Sequence, residues 1–131
     1  MRARATTLVV EDDDGSREML ALALADHGLA VEVARDGAEG LARLEGPGVD
    51  LVVLDFRMLA LDGAGFMREL RARPGPRPPV LLITAGTRPV ELAAEIGADA
   101  VLPKPFDLVD LYRAVDALLG DRAPRARQDD R

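Results

Sequence analysis

Four stretches of the chain carry side chains capable of chemistry. The apolar run 7–10 gives way to Glu11, Asp12, Asp13 and Asp14. A second run, 50–55, ends in Asp55. A third, 79–84, ends in Thr84, with Ala85 and Gly86 behind it, and a fourth, 99–103, is followed by Lys104 between Pro103 and Pro105. Gathering Glu11, Asp12 and Asp55 into a small volume costs energy through like-charge repulsion, and nothing structural requires it. A hard divalent cation would relieve the repulsion. An all-oxygen ligand set without Cys or His favours magnesium over zinc. Magnesium keeps several waters and usually shares its shell with a phosphate, to which Lys104 would bring a second positive charge and Thr84 a hydroxyl. Carboxylates, metal, ammonium and hydroxyl together are equipment for phosphoryl transfer.

Each residue also has a structural reading. Asp13 and Asp14 suit helix capping and first-turn charge, with Asp14 the expected N-cap. Ala34-Arg35-Asp36 after the second run is simple capping. Thr84 alone is weak, because β-branched residues end strands everywhere. Lys104 is the only lysine among 17 basic residues, and its flanking prolines argue for a fixed loop. His27, just before Gly28, reads as a helix C-terminal residue facing the dipole, not a ligand. Tyr112 reads as core or rim.

The elements that must position these groups follow from periodicity. The runs TLVV (7–10), LAVEVA (29–34), DLVVLD (50–55), PVLLIT (79–84) and DAVLP (99–103) are short and mostly not alternating. Strands of that kind belong to a sheet covered on both faces, hence parallel. The third and fourth runs are the most continuous and belong at the centre; LAVEVA, with Glu32, belongs nearer an edge. Between them lie five helices: about Gly15 to His27; a second opened by the capping box Asp36-Gly37-Ala38-Glu39 and ended by Gly46-Pro47-Gly48; a third after Asp62 with Phe66, Met67 and Leu70 on one side; a short fourth from about Arg88 to Ile96; and a fifth from Asp107 with Leu108, Leu111, Tyr112, Val115, Leu118 and Leu119 at helical spacing. Five β-α repeats with right-handed crossings give a doubly wound α/β sandwich, which holds its sites at the carboxyl ends of the strands.

Composition narrows the function further. The chain has 131 residues, one ordinary domain's worth, with 48% hydrophobic residues and a net charge of −6. That acidity makes it a poor stand-alone binder of phosphate backbones or anionic membranes. With no cysteine and a single histidine there is no disulfide frame and no zinc site. No apolar run approaches membrane length and the N-terminus lacks a signal-like segment, so a cytoplasmic protein is expected. The segment 121–131 has no apolar periodicity and reads as a disordered tail or the start of a linker.

Taken together, LVVEDDD (8–14), DLVVLDFRMLALDG (50–63), LLITAG (81–86) and GADAVLPKPF (97–106) resemble the receiver domain of bacterial two-component response regulators. The resemblance covers about Thr6 to Gly120, with four motifs in order and spacing. It implies a flavodoxin-like (βα)5 fold, strand order 2-1-3-4-5, with the receiver in residues 1–120. It implies that Asp55 accepts a phosphoryl group from a sensor histidine kinase or a histidine phosphotransfer protein. Glu11, Asp12, Asp55 and the backbone carbonyl of Arg57 would hold Mg2+. Thr84 would turn its hydroxyl toward the phosphoryl group, Lys104 would pair with it, and the backbone of Ala85 would meet its oxygens. The protein would be a signal receiver that catalyses only its own phosphoryl transfer and dephosphorylation. A downstream protein, an output domain or a second copy would read the face made by the fourth helix, fifth strand and fifth helix.

The sequence departs from that pattern at three points: Leu59 where a proline commonly follows Met58, Val101 where an aromatic switch residue is common, and a segment from Thr84 to Lys104 that is a couple of residues short. In that family the positions matched by Arg57 and Gly86 flank the phosphoryl group. A different reading takes Asp12-Asp13-Asp14-Gly15-Ser16 as the nucleophile motif of a small haloacid-dehalogenase-like phosphatase, with Asp12 attacking. It leaves little chain for a substrate cap and no task for Asp55. A binding-only relative would usually lack the acids or the lysine, which this chain keeps. No output domain is evident, so the chain is either a single-domain regulator or the first part of a longer one divided near Asp121.

Overall fold

A computed structural model describes residues 4–46, 48–56, 60–120 and 123, with side chains at all of these except 60–62. Five strands and five helices alternate along it: β1 (Thr6–Val10), α1 (Asp14–Asp26), β2 (Ala30–Ala34), α2 (Gly37–Leu44), β3 (Leu51–Asp55), α3 (Ala60–Ala72), β4 (Val80–Thr84), α4 (Pro89–Ile96), β5 (Ala100–Pro103) and α5 (Leu108–Leu119). All strand pairs are parallel, in the order β2-β1-β3-β4-β5. Every residue of β3 and β4 is buried, as their unbroken apolar runs require, and β2 lies at an edge where Glu32 faces outward toward Arg43.

Alternation along the strands divides the interior into two layers. Val9, Leu51, Val53, Leu81 and Ile83 pack with Leu20 and Leu24 of α1 and with Leu111 and Val115 of α5. Leu8, Val52, Leu54, Val80 and Leu82 pack on the other side with Phe66, Met67 and Leu70 of α3 and with Ala93 of α4. The amino ends of two strands are closed by carboxylates: Asp50 accepts from the Thr6 amide and Asp99 from the Val80 amide, each at 2.8 Å. The opposite edge, where the strands end in Val10, Asp55, Thr84 and Pro103, is left to the functional groups.

Several local expectations are corrected. The N-cap of α1 is Asp13, whose extended backbone lets its carboxylate accept from Ser16 N at 2.8 Å; Asp14 is already the first helical residue. Asp36 caps α2 through Glu39 N, but the Glu39 carboxylate returns to the amide of Arg35, not to that of Asp36. Helix α3 starts at Ala60, ahead of Asp62. His27 does more than face a helix dipole: its Nε2 lies 2.9 Å from Asp116 Oδ1 and its ring stacks on Tyr112, which in turn donates to the carbonyl of Ala23. These contacts join the end of α1 to α5. Leu108 is exposed although it shares the helical spacing of the buried α5 residues, because a first-turn side chain tilts back past the end of the helix and beyond the sheet. Of the segment 121–131 only Ala123 is described, half-buried against the α1–α5 layer.

Candidate functional site

Asp55 ends β3 in register with Ile83 of β4, so its carboxyl emerges between two buried strands and is itself only 1% exposed. A carboxylate this deep needs a partner. Lys104 supplies it: Nζ donates to Asp55 Oδ2 at 2.8 Å, while the Lys104 amide donates to the Thr84 carbonyl at 2.9 Å. The second bond continues the β4–β5 ladder one step past its end and anchors the lysine's backbone. The Lys104–Pro105 peptide is cis. A buried ion pair of this kind contributes little net stability because both charges are desolvated; its value here is placement.

Glu11 follows β1 and is fully buried. Its amide donates to Ala34 O at 3.0 Å, which extends the β1–β2 ladder and turns the side chain inward toward Asp55. Oε2 accepts from Asp13 N at 2.9 Å, and among the described residues no donor reaches the buried Oε1. Burial above all, then the neighbouring Asp55 carboxyl, raises the Glu11 pKa from 4.5 to about 8, with a smaller push from Asp12 and an opposing pull from the Asp13 amide. Glu11 therefore keeps its proton to a higher pH than an ordinary carboxyl when no cation is present. Asp12, the next residue, is exposed.

Thr84 ends β4 and is buried, and its Oγ1 accepts from Gly86 N at 3.1 Å, so the hydroxyl is engaged in the turn that leads to α4. Ala85 is exposed beside it. Asp55, Ala85 and Lys104 open into a cavity of about 780 Å³ whose walls are largely apolar, among them Met19, Phe106 and Leu108. The sheet thus brings Glu11, Asp55, Thr84 and Lys104 to one edge. The Arg57 carbonyl, expected as a metal ligand, and Leu59 lie outside the described residues.

Among the described residues no three acidic or histidine side chains close into a ready-made metal cage. The donor set instead fits a hydrated hard cation: a buried carboxyl oxygen that receives no hydrogen bond from the described residues, a second carboxylate beside it and an exposed third acid next in sequence. One contributor was not anticipated. Arg17, on the first turn of α1, donates from Nη1 to the Glu11 carbonyl at 3.0 Å and from Nη2 to Asp14 Oδ1. The sequence signal was an acid–arginine pair three residues apart at a helix start.

Comparison with known proteins agrees with this geometry. The family model of the response regulator receiver domain matches residues 7–116. Response regulator MprA of Mycobacterium sp. (strain KMS) is 42% identical over 119 residues, 89% of this chain and 51% of that protein, and MprA of Mycobacterium avium (strain 104) is 41% identical. The chain spans about half the length of these curated relatives. Among solved structures, the chemotaxis response regulator CheY4 of Vibrio cholerae superposes with a TM-score of 0.80 at 30% identity, covering 89% of this chain and all of that one. The receiver domain of the sensor histidine kinase PA1611 from Pseudomonas aeruginosa, with magnesium coordinated in its active-site cleft, gives a TM-score of 0.80 at 29% identity over 90% of this chain and 99% of that one. Nothing in these relationships points to a dehalogenase-like phosphatase. A parallel 2-1-3-4-5 sheet with buried acids and a lysine at its carboxyl edge, matched along almost its whole length by receivers, places this chain in the response regulator receiver domain family.

Proposed function

We propose that Asp55 is the residue that takes the phosphoryl group in this phosphorelay receiver. The observation that supports this best is its position: buried at the end of a central strand, 2.8 Å from Lys104 Nζ, next to Glu11 and open to a cavity. In the transfer, the P–N bond of a phosphohistidine on a sensor kinase or phosphotransfer protein breaks as a P–O bond to Asp55 forms. Lys104 then pairs with a phosphoryl oxygen, the Thr84 hydroxyl leaves Gly86 N and turns to another, and the Ala85 amide meets a third. Glu11, Asp12 and Asp55, with the Arg57 carbonyl, would hold Mg2+, which when bound offsets charge on the phosphoryl oxygens. The chain acts on no other substrate; it promotes only its own phosphorylation and dephosphorylation. The receiver occupies residues 1–120 and works in the cytoplasm. Its output passes through the face of α4, β5 and α5 to a downstream protein, an output domain beyond residue 120 or a second copy.

The test is to incubate the protein with Mg2+ and a labelled small phosphodonor or cognate kinase and to map the label. Asp55→Asn abolishes labelling if the assignment holds. Label that survives this change, or that maps to Asp12, overturns it.

A further inference from the structure

Arg17 stands at an unfavourable place. The positive end of a helix disfavours a cation, yet Arg17 lies on the first turn of α1 with its side chain only 14% exposed. Its ion-pair partner among the described residues, Asp14, is 90% exposed and screened by solvent, which makes the pair weak on its own account. What the guanidinium reaches inside is the Glu11 carbonyl. That carbonyl and the Asp12 amide form one planar peptide unit, so fixing its oxygen fixes the direction in which the chain leaves β1 and enters Asp12. Other bonds of the loop secure Glu11 and Asp13: Glu11 N donates to Ala34 O, Asp13 N to Glu11 Oε2 and Ser16 N to Asp13 Oδ2. Arg17 holds the peptide between the buried acid and the exposed one.

We infer that Arg17 is a positioning residue of the cation site, aiming Asp12 alongside Glu11 and Asp55 through the Glu11 carbonyl, with Asp14 as the outer anchor that keeps the guanidinium in place. The inference rests on the magnesium reading above. The role is geometric and opposes simple electrostatics. Removing a positive charge from beside a cation site should by charge alone tighten Mg2+ binding, whereas loss of the clamp loosens it.

The experiment is calorimetric titration of the full chain with MgCl2 at fixed pH and ionic strength, well below each variant's unfolding temperature. Arg17→Met keeps an apolar stem and removes all donors; its Kd for Mg2+ rises by about tenfold, the lower end of what outer-sphere partners typically contribute. Arg17→Lys keeps the charge but cannot span both acceptors, and its Kd rises several-fold where charge alone predicts no change. Should the methionine variant fail to fold, the lysine variant carries the test. Mg2+ binding that is unchanged or tighter in a folded Arg17→Met, or unchanged in Arg17→Lys, overturns the positioning role. Absence of saturable binding in the parent overturns the magnesium reading itself, and the inference with it.

Discussion

Glu11 makes the metal-free protein sensitive to pH in a direction that runs against most carboxylates. Its pKa rises from 4.5 unfolded to about 8 folded, so between those values the native state holds a proton that the unfolded chain has released. Stability from this group is complete below about pH 4.5, falls as pH rises, and levels off above about pH 8. The loss is of the order of a few kcal/mol once the pH passes the folded pKa. Against a typical domain stability of about 5–15 kcal/mol this is a large fraction.

Glu11→Gln removes the titration while leaving an oxygen for the Asp13 amide and giving Asp55 a permanent donor. Denaturant unfolding in a chelator, followed by circular dichroism from pH 5.5 to 9, should show the parent losing stability across that range. The variant should show a much shallower slope and should exceed the parent by a few kcal/mol at pH 8. Saturating Mg2+ should narrow the gap, because a cation stabilises the ionised parent and finds a poorer ligand in the variant. A parent whose stability is flat from pH 5.5 to 8, or a variant with the parent's slope, would refute the claim that Glu11 carries the proton.

Two further outcomes follow. Gly97 closes α4 at φ +81°, and a Cβ there would stand 2.8 Å from Arg71 Nη1; Gly97→Ala should lower stability by about 1–2 kcal/mol, mostly through the left-handed backbone since the arginine can yield, as thermal unfolding will show. Hydrogen exchange with and without beryllium fluoride should change most at residues 84–97, where Thr84 must release the Gly86 amide, and a response centred instead on 37–46 with α4 silent would contradict this.

The strands and the acids at their ends were legible because both depend on local pattern. Unbroken apolar runs of five residues have one comfortable home, a sheet covered on both faces, and the carboxyl edge of such a sheet collects whatever ends the runs. Choices among near-equivalents were not legible. Asp13 and Asp14 are chemically identical caps, and only the extended backbone at Asp13 selects it. Long-range partnerships were also hidden: the His27–Asp116 pair spans 89 residues and depends on how α1 lies against α5. For Arg17 only the spacing to Asp14 shows in the sequence; its inner acceptor is a backbone carbonyl, which leaves no mark there. The depth of Glu11 does not show in the sequence either, since four acids in a row look alike until the sheet shows which one turns inward.

These groups are joined across the sheet edge in a way that constrains any switch. Lys104 is bound at Nζ to Asp55 and at its amide to Thr84, so one residue spans β3, β4 and β5. A phosphoryl group on Asp55 would compete for that ammonium and for the Thr84 hydroxyl. It can shift the protein only by the difference between its contacts in two states, and those two side chains would supply the difference. On β5, Val101 is paired with Leu82 and half-buried against the α2–α4 layer. Its branched carbon has few rotamers and too little length to enter space that Thr84 vacates. The Lys104 amide holds the Thr84 carbonyl, and β4 behind it is entirely buried, so the strand itself resists movement. The segment placed to respond is the turn Ala85–Arg88, exposed throughout and carrying Gly86, whose amide bond to Thr84 would be given up if that hydroxyl turned to a phosphoryl group. Displacement of that turn would act directly on Pro89 and the first turn of α4, which no side-chain cap from the described residues secures. Val90, exposed on that turn, would then report the state of Asp55 to whatever rests on α4.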